Sequence, residues 1–280
     1  MTVITPQPTE AAVRRRTMGQ GHTPWPISAL AVVALLMIVA PLVALLLRVN
    51  WAEFPSVLMS SAVLAALGLS FGTALIATLV CVVVGVPLGM AIARARSRVA
   101  NVSRALVLVP LLMPPLVGGL ALFSLFGRNG LLGSWLSTLG ITLPFTTPAV
   151  VIAQVFVALP FLVISVEQAV RALDPRLEPV ARTLGTSRNG VLWRVTLPLI
   201  RPAIAAGATM SFSRSLAEFG ATALFAGNVE GVTRTMPLAI YSVFNGAVGG
   251  PEQAYALAVI LVASAVAVLI AVRGWRVNGL

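Results

Sequence analysis

Arg214 and Glu218 stand four residues apart in an otherwise mostly apolar stretch, with Ser211, Ser215 and Thr222 close by. Arg214 lies twelve residues past Pro202, about 18 Å along a helix, which is deep inside a hydrocarbon core roughly 30 Å thick. An ionisable group at such depth is expensive and marks a functional candidate. Two chemistries fit. Arg214 and Glu218, on one helix face, form a structural ion pair that fixes packing, or they line a pathway with Ser211, Ser215 and Thr222 and contribute to gating or oxyanion passage. Catalysis by this chain is not expected, because its only histidine, His22, and its only cysteine, Cys81, offer neither a nucleophile–base pair nor a metal cluster. No cofactor is implied. The chain also contains no lysine, so it lacks the phosphate-binding Lys of a P-loop ATPase.

The elements that position these groups are membrane spans. Of 280 residues, 58% are hydrophobic and only 10% charged, against about 25% charged in soluble domains; the mean hydropathy is +0.98. Apolar runs of spanning length fall near Ile27–Leu47, Ser60–Ala91, Ala105–Phe126, Pro148–Val166, Ala203–Phe225 and Ala254–Val272. The chain is therefore expected to be an all-α membrane protein of six helices. Its parts would be a tail over 1–26, a first helix over 27–47 and a core over 60–272. Cys81 reads as a small packing residue within the second span. Pro110, Pro114 and Pro115 lie inside the third, where each removes a backbone donor and bends the helix. Such bends suit a bundle around a pathway, and equally suit irregular packing.

All nineteen basic residues are arginine, and the net charge is +11. They sit mainly in loops between apolar runs, which points to membrane topology rather than nucleic-acid binding. Arg14–Arg16, Arg94, Arg96, Arg98, Arg104, the six arginines from Arg171 to Arg201, Arg273 and Arg276 share one side, against Arg48, Arg128 and Arg234 on the other. Both termini and the 174–201 loop are then expected to be cytoplasmic.

That loop contains "EPVARTLGTSRNGVLWRVTLPLIRP", Glu178 to Pro202. Asp174-Pro175 reads as a helix start. Leu177, Val180, Ala181 and Leu184 form an apolar stripe, and Gly185 suits the left-handed position that ends a helix. Thr186 or Ser187 can cap a second helix bearing Val191, Leu192 and Val195, with Pro198 and Pro202 stopping it and starting the fifth span. Two short amphipathic helices with a bend between them can lie on headgroups or dock a partner.

The order Gly185, Val195, Leu197-Pro198 resembles the cytoplasmic loop of ABC-importer permeases, EAA-x3-G-x9-I-x-LP. Counting back from Gly185 puts the motif's Glu on Pro179 and its alanines on Val180 and Ala181, so Glu178 is displaced by one residue and no salt bridge of the motif's Glu is assigned. The resemblance implies an ATPase-docking element at Pro179, Val180, Ala181, Leu184, Gly185, Thr186, Ser187 and Arg188. The run "FSRSLAEFGATALFAGNVEGVTRTMPLAIY", Phe212 to Tyr241, resembles the molybdate-permease pattern F-A-R-A-L-G-E-F-G-A-T-x-x-F-A-G-N with T-x-T-x-P-L-A-I-Y, departing at Ser213, Ser215 and Ala217. "FGRNGLLG" and "FTTPAVVIAQVFVALPF" resemble that family too, so the likeness covers roughly Ser60 to Val272. It implies the type I importer permease fold in a bacterial or archaeal plasma (inner) membrane, with molybdate moved inward and tungstate or sulfate as alternative cargo. It also implies an ATP-binding-cassette subunit, an extracytoplasmic oxyanion-binding protein, a second permease copy and surrounding lipid. An ion-gradient secondary transporter is the rival class, which should show intramembrane carboxylates near discontinuous helices; Glu218 alone gives it little support.

Overall fold

The computed structural model describes residues 24–246 and 250–277; Arg14, Arg15, Arg16 and His22 lie outside them. The described residues divide into two bodies, up to Arg48 and from Val49 onward. The first holds α1 (Trp25–Leu47), a uniformly apolar helix with Pro26 in its first turn and no buried residue. A helix apolar on every side suits lipid.

The regular elements described in the second body are all helices. A short α2 (Phe54–Leu58) precedes the long α3 (Ser61–Arg94), whose first turn is capped by Ser60 accepting from Val63 N at 3.4 Å. The expected third span is broken: α4 (Ser97–Leu112) and α5 (Pro115–Phe126) meet at 113°. Met113 and Pro114, each followed by a proline, are extended with ψ 134° and 136°, the conformation a following proline favours; Pro110, expected to bend the span as well, lies inside α4 without breaking it. A short α6 (Gly133–Thr138) leads to α7 (Thr147–Ala172), capped by Thr146 on Ala149 N.

The 174–201 loop carries α8 (Leu177–Thr183) and α9 (Arg188–Val191). It then widens over Leu192–Thr196, where Leu197 N donates to Leu192 O, five residues back, before α10 (Leu197–Leu216). Here the expectation is corrected. Neither Pro198 nor Pro202 stops the second loop helix: Arg188–Leu216 runs on as one helix of 29 residues, with Pro198 just after the widened turn and Pro202 inside α10. The fifth span also ends earlier than expected, at Leu216; α11 (Gly220–Phe225) is a separate short helix. Then come α12 (Met236–Phe244) and α13 (Gly250–Val277). Among the described residues, five helices are long and apolar enough to cross a membrane, α9 and α10 with the turn between them counting as one, or six when the bent pair counts as one span.

The core is built around α7. A Cβ on Gly89 of α3 would meet Val163 O at 2.8 Å, and one on Gly207 of α10 would meet Leu162 Cδ1 at 2.8 Å, so small residues let both helices approach α7 closely. Cys81, Ala158, Leu162 and Ile200 form one buried cluster between these three helices, with Cys81 a free, packed thiol. A second cluster joins α5, α7 and α11 through Leu122, Val150, Ala153 and Phe225. There a Cβ on Gly119 would lie 2.9 Å from the Ala221 backbone. The third, Val63, Met236, Leu257 and Ile260, ties α12 and α13 to the start of α3, reinforced by Met236 N donating to Ser70 Oγ at 2.7 Å.

Candidate functional site

Two groups of predicted residues are organised by this frame, and they lie on different elements. The loop group starts later than expected: Asp174 Oδ1 accepts from Arg176 N at 2.9 Å and forms a turn, so α8 begins at Leu177 rather than at Pro175. At the other end, Gly185 takes φ 86°, with Gly185 N donating to Arg182 O and Thr186 N to Ala181 O. That double closure at a left-handed glycine ends the helix as predicted. Of the two candidate caps, Ser187 is the one used, its Oγ accepting from Gly190 N at 3.1 Å.

The apolar stripe of α8 faces away from the core. Leu184 is 80% exposed and Val180 54%, with Leu177 exposed beside them. Pro179, Ser187 and Arg188 are exposed too, while Ala181 and Thr186 are half-buried. An exposed apolar tip rimmed by arginine suits either a protein partner or lipid headgroups.

Glu178, left without a role by the sequence register, makes the tightest contacts of the loop. Its Oε1 accepts from Arg94 Nη2 at 2.5 Å and from Thr196 Oγ1 at 2.9 Å. An acid in the first turn of α8 is also favoured by the positive end of the helix dipole.

The second group sits at the junction of α7, α10 and α11. Arg214 Nη2 lies 2.7 Å from Glu218 Oε2, and Glu218 Oε1 accepts from Ala221 N at 2.7 Å. Glu218 therefore does two things: it neutralises Arg214 and satisfies a free donor in the first turn of α11. The carboxylate is almost wholly buried, whereas the Arg214 side chain keeps 27% exposure. Ser211, Ser215 and Thr222 are fully buried, and Ser211 Oγ donates to Ala158 O at 3.0 Å. Gly207 lies against Leu162 and Ser211 against Ala158, so α10 runs antiparallel to α7. Ser215 Oγ, Gln154 Oε1 and Thr222 Oγ1 are buried without hydrogen-bond partners. Arg214 is thus the partly exposed member of the group, and the others are buried behind it.

One charged cluster was missed. Glu167, buried on α7, accepts from Arg104 Nε at 3.1 Å and Nη2 at 2.5 Å, and from Arg171 Nε at 2.9 Å. It holds the near half of the broken span against α7. The Glu167/Arg171 spacing of four within a helical segment was a usable signal; the Arg104 contact, across 63 residues, was not.

The described geometry, a helical bundle with bent and broken spans and a projecting helical loop, agrees with the comparisons. Residues 85–276 match the family model described as the binding-protein-dependent transport system inner membrane component. The chain belongs to this family. It is 46% identical over 242 residues to the molybdenum transport system permease protein ModB of Mycobacterium tuberculosis, spanning 86% of this chain and 90% of that one. It is 34% identical over 207 residues to the sulfate transport system permease protein CysT of Escherichia coli, at 74% and 75% coverage. Its fold matches a bacterial alginate ABC transporter solved in complex with an alginate-bound periplasmic protein, with TM-score 0.72 at 16% identity, covering 89% of this chain and 92% of that one. The chain is accordingly an ABC-importer permease, a multi-pass protein of the inner membrane.

Proposed function

We propose that this permease moves molybdate inward by alternating access, driven by a separate ATP-binding-cassette subunit that docks on α8 and α9, and supplied by an external binding protein. The 46% identity to a molybdenum permease over nine-tenths of that protein carries the substrate reading. The exposed tip at Val180 and Leu184, closed by Gly185, supports the docking reading. A chain without lysine leaves hydrolysis to its partner. Two copies of the permease would frame the pathway, with both termini and the loop on the cytoplasmic side, as the arginine distribution suggests. Core residues 60–272 would carry transport and 174–201 the coupling.

At the pathway, Arg214 is the residue we assign to the passing oxyanion, a partly exposed cation matched to tetrahedral anions through its planar donors. Glu218 holds it in place, and Ser211, Ser215 and Thr222 line the seam that the movement must open. The sulfate-permease relative makes sulfate the natural competitor. The test is uptake of labelled molybdate into vesicles containing the permease, its ATPase and its binding protein, with tungstate and sulfate added in excess. Molybdate uptake displaced by tungstate far more than by sulfate supports the substrate reading, and preferential displacement by sulfate overturns it.

A further inference from the structure

Glu178 sits one residue away from where the importer loop places its acid, and its carboxylate is engaged inside the chain. Arg94 is the last residue of α3, and Thr196 the last residue of the widened segment before α10. One oxygen of Glu178 therefore joins the start of the loop helix to the ends of two long helices that both pack on α7.

The energetics say what this contact is for. The Arg94 and Glu178 side chains keep 47% and 40% exposure, and exposed ion pairs add little to stability. Thr196, by contrast, is fully buried. The arrangement has little to give to folding and much to give to geometry. The joint it crosses is an unusual one: the i to i+5 hydrogen bonding over Leu192–Thr196 is a rare helical form, frequent at functional sites. Glu178 has a second cation within reach if α8 moves off α3, because Arg182 lies at i+4 on its own helix and shares a cavity of about 210 Å³ with Arg94, Glu178 and Arg188. Release from Arg94 then leaves the carboxylate with a partner, so the contact can open and close repeatedly.

We infer that Glu178 is a positioning residue for coupling: it transmits displacement of the docking loop to α3 through Arg94 and to α10 through Thr196. This rests on the loop being the ATPase dock. A bare docking helix would move without pulling on either span.

The experiment uses the complete complex in proteoliposomes, with ATP hydrolysis and molybdate uptake measured in the same vesicles. Wild type must first show ATP-driven uptake; if it does not, the docking reading fails before this one is tested. Glu178→Gln keeps the shape and an acceptor for Thr196 but loses the charge. It is expected to assemble and hydrolyse ATP near the wild-type rate while molybdate moved per ATP falls about fivefold, the most an exposed pair biases an equilibrium. Arg94→Gln and the double variant R94Q/E178Q complete the cycle, since glutamine at 178 still accepts from Thr196, and the double should lose no more than either single. An unchanged ratio in Glu178→Gln, a parallel fall of assembly, hydrolysis and uptake, or additive losses in the double variant would each overturn the proposal.

Discussion

Gly89 and Gly68 lie on the same helix, α3, and the structure assigns opposite signs to the same substitution at the two positions. A Cβ on Gly89 would stand 2.8 Å from Val163 O and 2.9 Å from Val166 Cβ, whereas one on Gly68 meets nothing within 4 Å. At Gly89 the obstacles are a backbone carbonyl and a β-branched side chain, neither of which can swing away, so α3 and α7 must part by roughly half an ångström in an interior packed like a crystal. Overpacking of this kind costs about 1–3 kcal/mol, and the rigid neighbours put Gly89→Ala at the upper end. Replacing a helical glycine by alanine returns about 1 kcal/mol through backbone entropy. The net is about 2 kcal/mol of destabilisation for Gly89→Ala and up to about 1 kcal/mol of stabilisation for Gly68→Ala. At about 2 °C per kcal/mol for a chain of this size, the two variants should melt about 6 °C apart. Thermal unfolding of the detergent-solubilised permease, followed by tryptophan fluorescence, measures this directly. If Gly89→Ala melts at or above Gly68→Ala, the close α3–α7 seam is wrong.

Three further outcomes follow from the sites. Gly185→Ala places a Cβ at φ 86° in open space, so it should cost the loop about 1 kcal/mol and retain partial uptake, while Gly185→Trp should abolish ATPase co-purification without altering the melting of the membrane part. Glu218→Ala removes the acceptor for Ala221 N and the partner of Arg214; a lost cap of about 1 kcal/mol should loosen α11, and uptake should fall more than in Glu218→Gln, which keeps an acceptor. Glu167→Ala should raise hydrogen exchange across residues 97–104 of α4, because Arg104 loses its anchor, whereas Glu230→Ala in an exposed pair should leave that segment unchanged.

The spans were legible because twenty-residue apolar runs leave a chain few alternatives in lipid, and the Pro114-Pro115 break was legible because proline acts on its immediate neighbour. The loop was legible from Gly185, whose left-handed backbone is a local requirement. The break after Leu216 was not, since residues 213–219 contain no proline or glycine: α10 stops where the Glu218 carboxylate turns to cap Ala221, a competition between side chain and backbone that apolar periodicity does not register. The role of Glu178 was hidden for a related reason. Motif counting fixes a position in the chain, but a carboxylate one residue along a helix can still reach a partner, and that partner, Arg94, lies 84 residues away. Burial of Ser211, Ser215 and Thr222 was equally out of reach, because spacing fixes a helix face without saying whether that face meets water or α7.

The central claim is that ATP, acting through the 174–201 loop, drives inward movement of an oxyanion. It is tested most directly by molybdate uptake into vesicles of the reconstituted complex at fixed internal ATP, with and without a protonophore. Uptake that requires ATP, survives the protonophore and disappears in Gly185→Trp is the predicted result. Uptake that collapses with the protonophore at constant ATP, or continues without ATP, would contradict it and make the chain a gradient-driven carrier.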